Sequence, residues 1–172
     1  MLQLKPLQGS RITLLPLTLQ QYYNFIYQLP QLEQELELHY QGRPVDGPFR
    51  TALQQRYLKF LAARRQPFFH TLWLITLPNE HFIIGNIAYK GSPDNNGFIE
   101  IGYGIGESFR SQGYMTEAVQ LLTTAAFALP SVRIITAVTS KDNTPSIRVL
   151  QKSNFFYTGA NDVYLHWAKS SV

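Results

Sequence analysis

Residues 98–138 constrain the fold of this chain more than any other stretch. FIEIGYGI (98–105) is apolar and β-rich. Residues 113–129 place Met115, Val119, Leu122, Ala126 and Leu129 at helical spacing, and VRIITAV (132–138) is β-rich again. Strand, helix and strand in this order form a β-α-β crossover, which sets two strands parallel within one sheet.

The rest of the chain supplies more strands and helices for that sheet. Arg11–Leu17 reads as a first strand, and Thr18 as the N-cap of a helix running to about Leu29, before Pro30. Residues 31–48 begin helical and then break into GRPVDGP, while Phe49, Leu53, Tyr57, Phe60 and Leu61 predict a second helix over 49–65. HTLWLITL (70–77) and HFIIGNIA (81–88) read as strands joined by a turn at Pro78-Asn79. Asn143 to Ser153 reads as a short helix, and FFYTG and VYLHWA as two closing strands. The order β, α, α, β, β, β, α, β, α, β, β implies an α/β (α+β) architecture, a mixed sheet with helices packed on it. With no Pro/Gly/Ser linker, residues 1–172 read as a single domain.

Composition narrows the function. Hydrophobic residues make up 45% and charged residues 15%, which is globular rather than disordered. The net charge of +4 suits a phosphate-bearing ligand. The densest basic run, Arg64-Arg65, reads as a solvated helix end, so no nucleic-acid partner is expected. The absence of cysteine rules out disulfides and thiol nucleophiles. His39, His70, His81 and His166 show no ligand spacing, so no metal is expected. No apolar run approaches the roughly 20 residues of a membrane helix, and MLQLKPLQGSR lacks a signal-peptide core, so the chain reads as soluble and cytoplasmic.

Strand 98–105 divides unusually. Ile99, Ile101, Tyr103 and Ile105 share one face, an ordinary core face. The other carries Phe98, Glu100, Gly102 and Gly104. Glycine within a strand marks a bulge or a place where a ligand or another backbone comes close, and this strand alone leaves both open. The following Arg110-Ser111-Gln112-Gly113-Tyr114-Met115 runs into a helix N-terminus, whose unpaired N–H groups suit phosphate oxygens. An ordinary turn would also use Gly113.

EIGYGIGESFRSQGYMTEAV resembles the central motif of GNAT acetyltransferases, especially the RimJ/RimL-like ribosomal-protein acetyltransferase branch, with Arg110, Gly113 and Met115 at the motif places. DNTPSIRVLQKSNFF (142–156) resembles the family's Asn-x-x-Ser helix and the Gly-Phe after it, through Asn143, Ser146 and Phe155. The two matches cover residues 80 to 159. The resemblance implies a mixed, mostly antiparallel twisted sheet flanked by helices, with a central β-α-β core that binds acetyl-CoA. It implies that residues 110–115 cradle the CoA phosphates, that Tyr103, Ile105 and Gly106 line the pantetheine arm, and that Asn143 contacts CoA near the thioester. Asn143 also serves as a plain helix N-cap.

Three positions depart from the family pattern. Met115 replaces a small residue. Asn154 replaces the Gly before Phe155, and Asn tolerates positive φ. Leu150 stands where many relatives carry a Tyr acid for the leaving thiolate. In the RimJ/RimL-like branch that role goes to the Ser matched by Ser146; alternatively, a thiolate leaves without an acid.

Acyl transfer to an amine needs a base for an ammonium acceptor, a donor for the oxyanion and a cleft that holds both reactants. Glu100, on the glycine face, is the candidate base, or else a surface or substrate-binding carboxylate. Strand N–H groups near Gly102–Tyr103 are the candidate oxyanion donors. Tyr40, Arg43 and Asp46, in the break before the second helix, are candidates to line the acceptor mouth. The resemblance implies a protein N-terminus or a small-molecule amine as acceptor, and a possible homodimer. A catalytically inactive CoA-binding or interaction module on the same fold is the competing expectation.

Overall fold

The computed structural model describes residues 4–63 and 66–171, so Arg64-Arg65 lies outside the described residues. Its elements, in chain order, are β1 (Leu7–Gln8), β2 (Thr13–Pro16), α1 (Leu19–Tyr27), α2 (Leu29–Leu36), β3 (His39–Tyr40), α3 (Gly47–Ala62), α4 (Pro67–His70), β4 (Trp73–Leu77), β5 (Phe82–Tyr89), β6 (Phe98–Ile105), α5 (Tyr114–Phe127), β7 (Ile134–Ser140), α6 (Thr144–Lys152), β8 (Phe156–Ala160) and β9 (Tyr164–Ser170).

The strands form one sheet in the order β1-β2-β4-β5-β6-β7-β9-β8, with β3 also on β5. Most pairs are antiparallel; β6–β7 and β3–β5 are parallel. The expected crossover is therefore present, with α5 carrying the chain from β6 to β7.

The two faces of the sheet bury separate cores. On one, Trp73, Ile75, Ile87, Tyr89, Ile99 and Ile101 pack against Ala118, Val119, Leu122 and Ala126 of α5 and Leu150 of α6. On the other, Leu72, Leu74, Ile83 and Ala88 meet Tyr22, Phe25 and Ile26 of α1, Leu32 of α2, and Leu53 and Phe60 of α3.

Local sequence explains the helix starts. Thr18 accepts from the Gln21 N–H while Gln21 reaches back to the Thr18 N–H, a capping box. Asn143 accepts from the Ser146 N–H at 3.2 Å and starts α6. Two differences from expectation lie before α3. Pro30 stands in the first turn of α2 and opens that helix rather than only closing α1. The stretch after α2 contains β3, whose backbone pairs with Phe82 and Ile83. Glu33 fixes it by accepting from the Tyr40 N–H at 2.6 Å.

Candidate active site

The site begins where the sheet opens. β6 pairs β7 only from Phe98 to Glu100, against Ile134 to Thr136. Beyond Glu100, β6 continues to Ile105 on β5 alone, and β7 continues to Ser140 on β9 alone. The two central strands thus part in a V.

Backbone alternation decides what faces the gap. The Lys90 N–H donates to the Glu100 carbonyl at 2.8 Å, and the Gly106 N–H to the Ile84 carbonyl at 2.8 Å. Even-numbered residues of β6 therefore bond to β5, and odd-numbered ones turn their amides to the other edge. There the Gly97 carbonyl accepts from the Ile134 N–H at 3.1 Å before the strands part. The backbone groups of Tyr103 and Ile105 face the opening, where no strand stands beside them.

At the end of β6 the chain turns through Glu107–Phe109 into the loop that starts α5. Ser111 has φ 61° and Gly113 φ 84°, so the loop folds back on itself. Among the described residues no acceptor is found for the N–H groups of Ser111 to Thr116; the first helical bond is Glu117 N–H to the Gly113 carbonyl at 3.1 Å. A fan of unpaired donors at a helix N-terminus is an anion cradle. Arg110 is exposed at its rim. Met115 turns its side chain into the core, at 6% exposure, so it offers the cradle only its amide.

Arg11, which sequence reasoning did not single out, locks this loop. Its Nη1 donates to the Gln112 carbonyl at 2.8 Å, its Nε donates to Glu117 Oε2 at 3.0 Å, and its guanidinium lies over the Tyr114 ring. Glu117 Oε1 also accepts from the Arg11 N–H and the Ser10 hydroxyl. Burial alone would raise the Glu117 carboxyl; the hydrogen bonds from Arg11, Ser10 and Ile12 outweigh it and hold the group below its ordinary value.

Across the V, Ser146 Oγ donates to the Tyr103 hydroxyl at 3.0 Å. Burial pushes Tyr103 up to about 12, against the opposing Ser146 hydrogen bond, so the phenol keeps its proton at neutral pH. Leu150 is fully buried, so the place of the usual Tyr acid belongs to the core.

The glycine face looks the other way, toward α3 and the β3 turn. A Cβ on Gly102 would lie 3.0 Å from Arg56 Nη2, and one on Gly104 would lie 3.7 Å from Arg43 Nε. Glu100 is ion-paired with Lys90. Gly106 is needed for packing: a Cβ there would meet the Gln41 carbonyl oxygen at 2.0 Å. Tyr40 is held in place, its ring edge-on to Phe25 and its hydroxyl donating to the Arg43 carbonyl at 2.7 Å. Asp46 is exposed at the start of α3, where its side chain makes no capping bond.

This geometry has known counterparts. Residues 11–155 match the family model described as Acetyltransferase (GNAT) domain. The chain belongs to the GNAT acetyltransferase family. A curated relative, the uncharacterized N-acetyltransferase YjdG of Bacillus subtilis (strain 168), is 37% identical over 95 residues, 55% of this chain and 56% of the relative. The matched stretch spans about half the length of the curated relatives. Among solved structures, a ribosomal-protein-S5-alanine acetyltransferase from Vibrio fischeri matches with TM-score 0.70 at 16% identity, covering 97% of both chains. RimL, a ribosomal L7/L12 alpha-N-protein acetyltransferase in complex with Coenzyme A, matches with TM-score 0.68 at 18% identity, covering 96% of this chain and 98% of that one. At these identities the likeness concerns the fold, and the GNAT fold is the one expected of the RimJ/RimL-like branch.

Proposed function

We propose that this GNAT chain is an N-acetyltransferase that passes the acetyl group of acetyl-CoA directly to an amine within a ternary complex. The parting of β6 from β7 carries the reading. It opens a slot lined by the free backbone of Tyr103 and Ile105, and the slot leads to the donor fan of residues 111–116. A long ligand with amide groups along its middle and phosphates at one end fits both parts.

In this reading the amides of Ser111–Met115, with Arg110, hold the phosphates, and the free edge of β6 pairs with the pantetheine amides. The Tyr103 N–H, aimed into the slot, polarises the thioester carbonyl and stabilises the developing oxyanion. Asn143, already the cap of α6, borders the thioester end. Glu100 takes the proton of the attacking amine, with Lys90 paired to one carboxylate oxygen and the other oxygen left for the acceptor. Ser146, whose hydroxyl is held against the Tyr103 phenol, hands a proton to the departing thiolate and recovers one from solvent. Tyr40 shapes the acceptor mouth by holding the turn that carries Arg43, and Asp46 stands at its rim.

Calorimetric titration with acetyl-CoA, with ATP as control, followed by turnover on a panel of peptide N-termini and small amines, tests the reading. One-site binding of acetyl-CoA and turnover of at least one amine are expected. Binding without turnover of any amine would favour the inactive-module alternative. No binding by the folded chain would refute both.

A further inference from the structure

The acceptor side of β6 carries an unbalanced set of donors. Arg56 and Arg43 stand over Gly102 and Gly104, positions about 7 Å apart along the strand. Among the described residues neither guanidinium has a carboxylate within ion-pair distance; Asp46 acts on Arg43 from farther off, and Glu100, on the strand itself, is paired with Lys90. Arg43 is fixed by stacking on the Phe49 ring, its guanidinium carbon 3.5 Å from the ring centre. Burial first, and then the Arg56 charge, push Arg43 below the ordinary guanidinium value, against Tyr40 and Asp46. Bringing two like charges together is unfavourable unless something neutralises them.

A second, independent observation points the same way. Asn86 pairs with Gly104 across β5 and β6, so the two share this face. Its side chain is 3% exposed, and its Nδ2 has no hydrogen-bond partner. A buried donor left unmade is costly, because it has given up its hydrogen bonds to water. A buried carboxamide donor without a partner and two guanidinium groups without an ion-paired carboxylate therefore share the face on which two residues lack side chains.

We propose that the acceptor molecule bears an oxyanion, a carboxylate or a phosphate, near its amine, and that Arg43, Arg56 and Asn86 receive it over Gly102–Gly104. This rests on the acetyltransferase reading, since it names the class of acceptor for that site. The amine then lies toward Glu100, and the anionic group fixes which amines reach it.

Matched acceptor pairs test the inference: the C-terminally amidated dipeptides Ala-Asp-amide and Ala-Asn-amide for a peptide source, and 2-aminoethyl phosphate and 2-aminoethanol for a small-molecule source. A charge-assisted contact predicts that kcat/KM favours the anionic member of at least one pair by about tenfold or more. The pair that shows the preference identifies the source. In Arg56→Gln and Arg43→Gln the preference should collapse toward one through a raised KM for the anionic member, and Arg56→Lys should restore part of it. The same pairs titrated calorimetrically into CoA-saturated protein give a readout free of turnover. Equal kcat/KM and equal binding within both pairs would overturn the inference while leaving the transferase reading intact. Failure to bind acetyl-CoA or to acetylate any amine would instead refute the transferase reading.

Discussion

At the residue scale, Glu100 and Gly106 show how differently a site residue and its neighbour respond to substitution. Glu100 contributes a carboxylate beside Lys90 on the glycine face of β6. Glu100→Gln keeps the shape and removes the proposed base, so kcat should fall by about 10²–10⁴ while acetyl-CoA affinity holds. Stopped-flow turnover and calorimetry on the same preparation check both halves; near-normal kcat across pH would remove Glu100 as the base. Gly106 does its work without chemistry. Its hydrogen atom faces the Gln41 carbonyl, and a methyl group would overlap that backbone oxygen. Gly106→Ala should therefore destabilise the fold by about 1–3 kcal/mol, seen as a lower urea midpoint. An unchanged midpoint would show that the β3 turn yields freely.

At the element scale, the loop and first turn of α5 couple ligand binding to stability. Gly113 sits at φ 84° and its missing Cβ leaves room beside Arg11. Gly113→Val forces a β-branched residue into a left-handed conformation at the centre of the donor fan. The folded variant should lose acetyl-CoA affinity by about a hundredfold or more, the loss of two charge-assisted hydrogen bonds. Normal affinity in calorimetry would separate the loop from the phosphates. Glu117 supports the same turn from below. Because its native value is depressed, its contribution is complete above the ordinary carboxylate value and is lost as the pH falls through that lowered native value. Glu117→Gln should therefore destabilise the protein at neutral pH and flatten its stability profile on the acid side. Thermal melts from neutral to acid pH read this directly, and parallel profiles for variant and parent would contradict it.

Legibility in the sequence followed the same scale. Elements with strong periodicity were readable: β6, α5 and α6 lie where spacing placed them, and Asn154 takes the positive φ expected of it. β3 was not readable, because two residues have no period and their place is set by Glu33 and by β5. Arg11 carried no local signal, since its partners lie about a hundred positions away. Arg56 did carry one: it follows Leu53 by three and precedes Phe60 by four, so a cation stands between the buried residues of one helix face. Asn86 and Lys90 follow from the hairpin register once the glycine face of β6 is known, which makes them visible only from the pair of strands.

At the scale of the whole molecule, the sheet acts as two halves joined through a short seam. β1 to β6 pair continuously, as do β7, β9 and β8; among the described residues β6 and β7 join the halves by the short Phe98–Glu100 ladder and the Gly97 carbonyl before it, and α5 and α6 pack beside the seam. Ser146 and Tyr103 form one of the few polar contacts across the open part. A ligand lying in the V touches both halves and the α5 loop, so it should bind the assembled molecule and not its unfolded chain. At a hundred times Kd, such binding adds about 2.7 kcal/mol. For a chain of this size that raises Tm by about 5–10 °C. Amide exchange should slow most at Tyr103 and Ile105, whose N–H groups face the slot, while the β8–β9 ladder is little affected. Differential scanning calorimetry and hydrogen exchange, each with and without saturating acetyl-CoA, check the two effects together. A stabilised protein with unchanged exchange at Tyr103 and Ile105 would place the ligand elsewhere than between the strands.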